Sequence, residues 1–222
     1  MTADHLRTWL EIREAVPWHT APVVKPQLGK TPAHPPSPTR DGALQDILTF
    51  DAARSPERST RLLDALRLAR ADAAADRPLA FALLQRWHRH VLATDSVPFR
   101  TRPAYAKSGR ERYGVTANLP ALLDKCLAQA TDSDLPLNAR AARAYLDICF
   151  FHPFEDGNAR CAFLTLTYLL AREGIALDQV APVRRVLRRA DDAEGALGLA
   201  RVVGVLMRRV LPPEGRAPAS DG

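Results

Sequence analysis

The nine residues His152-Pro153-Phe154-Glu155-Asp156-Gly157-Asn158-Ala159-Arg160 constrain this chain most, because they interrupt two stretches that otherwise read as buried helices. Before them, Ala139 to Phe151 carries Ala142, Tyr145, Leu146, Cys149 and Phe150 at the three-and-four spacing of a single helical stripe. Pro153 stops that helix, since the residue before a proline is pushed out of the α region. After them, Asn158 to Arg172 resumes the period through Ala162, Leu166, Leu169 and Leu170, and Gly174 suits the position just past its end. The expected arrangement is a tight loop joining two core helices, with Gly157 and Asn158 at the start of the second.

A helix start has a chemistry of its own. Its first backbone N–H groups lack intrahelical partners, and the helix dipole adds partial positive charge there. Small residues such as Gly157 and Ala159 let a phosphate approach that backbone, and Arg160 adds a forked, charge-assisted contact. Asp156 is a hard oxygen ligand beside that site, suited to Mg²⁺ shared with phosphate oxygens. His152 is the one side chain in the loop that takes up a proton near neutral pH. Base, metal ligand and phosphate cradle within one loop describe phosphoryl or nucleotidyl transfer.

These residues resemble the motif of the Fic family, H-P-F-x-(D/E)-G-N-(G/K)-R with a second Arg soon after, and the similarity extends over roughly Leu79 to Ala176. The resemblance implies a mainly α Fic fold, a helical bundle with a β-hairpin flap over the active-site loop. It implies a protein adenylyltransferase that moves AMP, or another nucleoside monophosphate, from ATP to a Ser, Thr or Tyr hydroxyl of a target protein. His152 would be the general base, Phe154 the buried anchor of the loop and Asp156 the Mg²⁺ ligand. Gly157, Asn158 and Ala159 would form the anion hole, and Arg160 would contact the β-phosphate. Two positions depart from the family pattern: Ala159 stands in place of Gly or Lys, and Phe163 in place of the second Arg, which holds the γ-phosphate. The Doc branch also lacks that Arg, so a Doc-like kinase transferring the γ-phosphate is the first alternative. A non-catalytic Fic-fold interaction protein is the second.

Val97 to Val115 breaks the helical pattern. Pro98 to Tyr105 reads as extended, Lys107-Ser108-Gly109 as a turn and Arg110 to Val115 as the return, with Pro103 confining the strand to an edge. The resemblance makes this the flap that binds the target segment by strand addition, with Arg102, Tyr105, Lys107 and Tyr113 as its contacts.

The rest of the chain is expected to be helical. Residues 3–15 form a short helix, and seven prolines between Val16 and Asp41 mark a connector or an arm wrapped on the body. Helices follow over Ala43–Ala53, from Ser55-Pro56-Glu57 with Ser55 as cap, from Pro78 onward, from Leu119 to Ala130, and over Glu194–Val210. The organisation is thus an N-terminal helix and Pro-rich arm over 1–41, a Fic domain over 42–211, and a disordered tail over 212–222. His88 and His90 lie two apart on one helix, do not share a face and so are poor joint metal ligands.

The 222 residues hold no apolar run near the length of a membrane span, of about 20 residues, and no signal peptide. Cys126, Cys149 and Cys161 lack paired metal spacing and read as buried hydrophobes in a reducing cytoplasm. The net charge of +6 comes without a basic stripe interleaved with aromatics, so it makes no case for nucleic acid. Many Fic proteins silence themselves with an (S/T)-x-x-x-E-(G/N) segment. Here no Ser or Thr has Glu four residues later; Thr60 with Asp64 and Ala190 with Glu194 are the near misses. Control by an antitoxin-like inhibitor protein, as in a toxin–antitoxin pair, or by substrate access is the expectation.

Overall fold

The computed structural model describes residues 3–24, 40–131 and 134–211. It is mainly helical, and the described residues form one two-stranded antiparallel hairpin. The helices are α1 His5–Ala15, α2 Gly42–Asp46, α3 Pro56–Ala74, α4 Phe81–Leu92, α5 Leu119–Ala128, α6 Leu137–Phe151, α7 Asn158–Arg172, α8 Ala181–Arg184 and α9 Ala193–Val210.

The two helices flanking the loop are the centre of the molecule. α6 packs on α7 and α9, and α7 packs in turn on α3 and α4. Both are buried on almost every face rather than along one stripe. On α6, Ala139, Ala141, Ala142 and Ala144 let the neighbouring helices close in. On α7, Phe163, Leu164, Leu169 and Leu170 fill the space between layers. Each such Leu or Phe contributes about 1.5–3 kcal/mol on burial. Covering them all round holds the loop between α6 and α7 on a rigid frame.

Capping chemistry sets the boundaries. The Ser55 hydroxyl accepts from the Arg58 N–H at 3.3 Å, with Pro56 in the first turn of α3. α4 begins at Phe81 rather than Pro78, because its free N–H is taken by Asp124 Oδ1 on α5 at 2.6 Å. The helix expected over Ala43–Ala53 splits: α2 ends at Asp46, and Ile47–Asp51 continues as a wider π turn with Ala52 N–H donating to Ile47 O.

α1 is a core element. Trp9, Arg13 and Asp147 of α6 are at most 1% exposed. Trp9 Nε1 donates to Asp147 Oδ1 at 2.9 Å, and Arg13 grips the same carboxylate with Nε at 2.7 Å and Nη2 at 3.0 Å. The first part of the Pro-rich arm also lies on the body, with Val16, Trp18, Ala21 and Val24 buried. The rest of the arm, residues 25–39, and the tail expected to be disordered, 212–222, lie outside the described residues.

The hairpin strands are β1 Ala104–Ala106 and β2 Glu111–Tyr113, shorter than the sequence suggests. Their register pairs Ala104 with Tyr113, Tyr105 with Arg112 and Ala106 with Glu111. Lys107, Ser108 and Gly109 all have positive φ in the turn. β2 is braced on its far side by α1, where the Asp4 carboxylate accepts from Gly114 N–H at 2.9 Å.

Candidate active site

Left-handed residues bracket the loop. His152 closes α6 with φ 47°, and Gly157 opens α7 with φ 79°. At Gly157 a methyl group would be strained by that φ and would meet His88 Cε1 at 2.7 Å. Between them the Asn158 amide ties the turn to itself, accepting from Phe154 N–H at 3.0 Å and donating to Phe154 O at 2.8 Å. The Asn158 side chain is therefore spent on loop shape, and what it offers a phosphate is its backbone N–H at the helix start.

The proton on His152 is placed by its surroundings. Nδ1 lies 2.7 Å from Cys149 O, and since a carbonyl can only accept, the proton sits on Nδ1 and Nε2 keeps its lone pair. Burial holds the imidazole below its ordinary pKa, and the nearby Arg100 cation acts in the same direction. Tyr113 lies flat against the ring, 4.5 Å between centroids and 8° from parallel. Beneath it, Tyr113 OH donates to the buried Glu111 carboxylate at 2.5 Å, which also receives Lys107 Nζ at 2.7 Å. The result is a neutral, oriented imidazole, as a general base requires.

Two further residues hold the loop, and the sequence marks neither of them by motif. Arg100 is 5% exposed and donates to four carbonyls: His152 at 2.7 Å, Phe151 at 3.0 Å, Arg102 at 2.7 Å and Gly114 at 2.7 Å. It thereby satisfies the C-terminal end of α6 and fastens the flap to it. Burial pushes its guanidinium down to about 10. His88 of α4 is fully buried, and its Nε2–H donates to Asp156 O at 2.8 Å. Its other nitrogen has no partner, and burial pushes its pKa down to about 4, so it stays neutral. Phe154, 1% exposed, is sandwiched between His88 at 3.8 Å and Phe81 at 5.4 Å between ring centroids.

On the other side of the loop, α7 makes its first intrahelical bond from Cys161 N–H to Gly157 O. The N–H groups of Asn158, Ala159 and Arg160 precede it and are free for an anion. Arg160 Nη2 pairs with Asp156 Oδ2 at 2.9 Å, and its Nη1 donates to Val91 O. The Asp156 side chain is 66% exposed. An exposed carboxylate such as that of Asp156, just before the helix start, fits Mg²⁺ held jointly with phosphate oxygens. Among the described residues no group of three ligating side chains gathers for a metal, so phosphate would have to complete the coordination.

Ala159 lines two cavities that meet there. One, of about 180 Å³, also includes His152, Tyr113, Lys107 and Glu111; the other, of about 200 Å³, includes Arg160. Phe163 is fully buried, and the guanidinium of Arg184 from α8 lies 4.4 Å above its ring.

The four residues expected on the flap separate. Tyr105 is 63% exposed and Arg102 is exposed, whereas Lys107 reaches inward to Glu111 and to Arg188 O at 2.5 Å. Tyr113 is 2% exposed and supports His152 from below, so it belongs to the floor of the site. Burial pushes the thiols of Cys126 and Cys149 up to about 12 and raises that of Cys161 as well, which leaves no reactive thiolate. Of the near misses to a self-inhibitory segment, Asp64 pairs with Arg67 on the exposed side of α3, and neither it nor Glu194 lines the two cavities.

A loop with a polarised histidine at one end and a helix start at the other, on a frame of buried helices and under a hairpin, defines a Fic-type domain. The model of the Fic/DOC family matches residues 78–170, which run from the approach to α4 almost to the end of α7. The fold of the chain is similar to that of a Fic domain containing signaling protein from Bacteroides thetaiotaomicron, with a TM-score of 0.55 over 76% of each chain at 20% sequence identity. No curated protein matches the sequence. Among the described residues, no helix is long and apolar enough to cross a membrane.

Proposed function

We propose that this chain is a Fic-type transferase that moves a nucleoside monophosphate, AMP first among them, from a nucleoside triphosphate to a hydroxyl of a target protein. The observation that carries this reading is the neutral His152, whose Nδ1–H is committed to Cys149 O beside a cavity that reaches the first turn of α7. Nε2 accepts the hydroxyl proton as the oxygen attacks the α-phosphorus, and the bond to the leaving pyrophosphate breaks in line. The backbone N–H groups of Asn158, Ala159 and Arg160 and the Arg160 guanidinium bind the developing charge. Asp156 would hold Mg²⁺ shared with the donor phosphates, which supplies further neutralisation there. For a phosphate to reach Arg160 the Arg160–Asp156 pair must open. The outer edge of β1, unpaired among the described residues and flanked by exposed Tyr105, suits a target segment added as a strand.

The test uses the purified chain, a cell lysate and ATP labelled at the α- or the γ-phosphate, with His152→Ala as the control. Transfer from the α position alone, lost in the variant, is the expected result. Transfer from the γ position alone would make the chain a Doc-like kinase. No His152-dependent label from either would sink the transferase reading.

A further inference from the structure

The cavity of about 200 Å³ at the start of α7 is lined by arginines from four parts of the chain: Arg54 after the π turn, Arg58 in the first turn of α3, Arg160 of α7 and Arg184 of α8. Carboxylates account for two of them. Arg184 pairs with Asp46 at 2.5 Å and Asp51 at 2.8 Å, and Arg160 pairs with Asp156. Arg185 draws on Asp46 as well, so no acidic charge is left over there.

Arg54 and Arg58 have no carboxylate partner among the described residues. Arg54 is held in place all the same, with its guanidinium 3.5 Å above the Phe50 ring and Nη1 donating to Phe50 O at 3.0 Å. The π turn puts Phe50 there, and π turns inside helices recur at functional sites. Arg58 is close enough to Arg160 for its charge to add to burial in lowering the Arg160 pKa. Guanidiniums gathered round one cavity, beside the free N–H groups of a fifteen-residue helix, outnumber Asp51, the carboxylate that also lines it, and leave net positive charge for an anion.

The residue that the family motif would supply for a terminal phosphate is missing, since Phe163 occupies its place. The buried Phe163 ring serves instead as the seat of the Arg184 guanidinium. We propose that Arg54 and Arg58, with Arg184 beside them, form the subsite for the terminal phosphate of a nucleoside triphosphate, making the chain selective for triphosphates over diphosphates. This rests on the reading of the donor as a nucleoside triphosphate. The geometry agrees with it, because the arginine cavity and the His152 cavity meet at Ala159, Tyr145 and Arg184. A donor laid across that junction has its α-phosphate near His152 and its far end among the arginines.

The experiment is equilibrium binding of ATP, ADP and inorganic tripolyphosphate to the full chain in Mg²⁺, for the wild type and for Arg54→Gln/Arg58→Gln. Both side chains are exposed, so an unchanged unfolding midpoint is expected and serves as the control for folding. The wild type should prefer ATP to ADP by about tenfold or more, the worth of one or two charge-assisted contacts. The double variant should lose that preference and weaken on tripolyphosphate, with ADP affinity little changed, and Arg58→Lys should keep part of it. A wild type that does not distinguish ATP from ADP, or a double variant with the preference intact, overturns the proposal. The transferase reading is judged separately. His152-dependent label with an intact preference in the double variant removes the subsite alone, and loss of preference without any label removes the transfer reading alone.

Discussion

The ring of Tyr113 lies parallel to the imidazole of His152, with 4.5 Å between centroids, and its hydroxyl is anchored by Glu111 on the same strand. The flap therefore reaches His152, the proposed general base, directly and is part of what orients its ring. Two substitutions separate the ring from the hydroxyl. Tyr113→Leu removes the flat support, and the rate of label transfer should fall about tenfold to a hundredfold, since misplacement of a catalytic group by about 1 Å is that costly. Tyr113→Phe keeps the stack and leaves the Glu111 carboxylate short of a donor. It should cost about 1–3 kcal/mol in urea unfolding while transfer stays near wild type. Equal loss of rate in both variants would remove the ring from this role.

The pH dependence of transfer follows from the lowered pKa of His152. A base protonated only below its ordinary range is fully available at neutral pH, so the rate should be flat near pH 7. It should fall only as the medium drops below the unperturbed imidazole value of about 6.5. Glu111 is a negative charge that raises the His152 pKa against the stronger effect of burial. Glu111→Gln should therefore move the acid limb of the profile to lower pH. Rate profiles from pH 4.5 to 8 with labelled ATP decide it, and a limb above pH 7 would contradict the argument.

Arg100 is the bolt between flap and motif. Arg100→Met keeps much of the volume but leaves four carbonyls, two of them at the end of α6, without their donor. Each buried group left unpaired costs about 1–3 kcal/mol, so several kcal/mol should be lost in urea unfolding. The same variant removes a cation that depresses the His152 pKa, and the acid limb should shift upward in whatever protein remains folded. A merely structural Arg100 would leave the limb where it is.

His88 makes stability depend on pH. Its folded pKa of about 4 lies below the unfolded value of about 6.5, so the unfolded chain binds the proton more readily. The contribution is complete above the unfolded pKa and is lost as pH falls through about 6.5 toward 4. The full loss is on the order of 3 kcal/mol. Urea midpoints between pH 7 and pH 4.5 should drop for the wild type, and His88→Gln, which retains a donor for Asp156 O, should flatten that slope. His152 contributes in the same direction, so some slope survives in the variant.

The Arg13–Asp147 pair tests the standing of the N-terminal helix. Both side chains are at most 1% exposed. Asp147→Asn would leave the buried guanidinium with only the exposed Glu14 carboxylate, 2.7 Å from Nη1, as counter-charge, at a cost of about 3 kcal/mol. Urea unfolding should show that loss in one cooperative step, because α1 and α6 share one core. A separate early transition for α1 would show instead that it folds apart from the domain.

Local chemistry determined a good deal of this protein. Pro153 and Gly157 mark the loop because proline and positive φ act on their own neighbours, and the cap at Ser55 and the full extent of α7 were legible for the same reason. The motif from His152 to Arg160 concentrates base, carboxylate and helix start within a few residues, so sequence spacing was enough to single it out. What sequence spacing does not carry is contact between residues far apart in the chain. Arg100 lies 52 residues from the carbonyl of His152 that it holds, and His88 lies 68 from that of Asp156. Nothing in the periodicity of α4 distinguishes His88 from His90, yet one is buried against the loop and the other faces solvent. Phe163 reads as a missing cation along the sequence, but packing brings Arg184 onto its ring from another helix. The tertiary structure alone decided those partners, because helices pack by filling volume and so bring together side chains that no local rule relates.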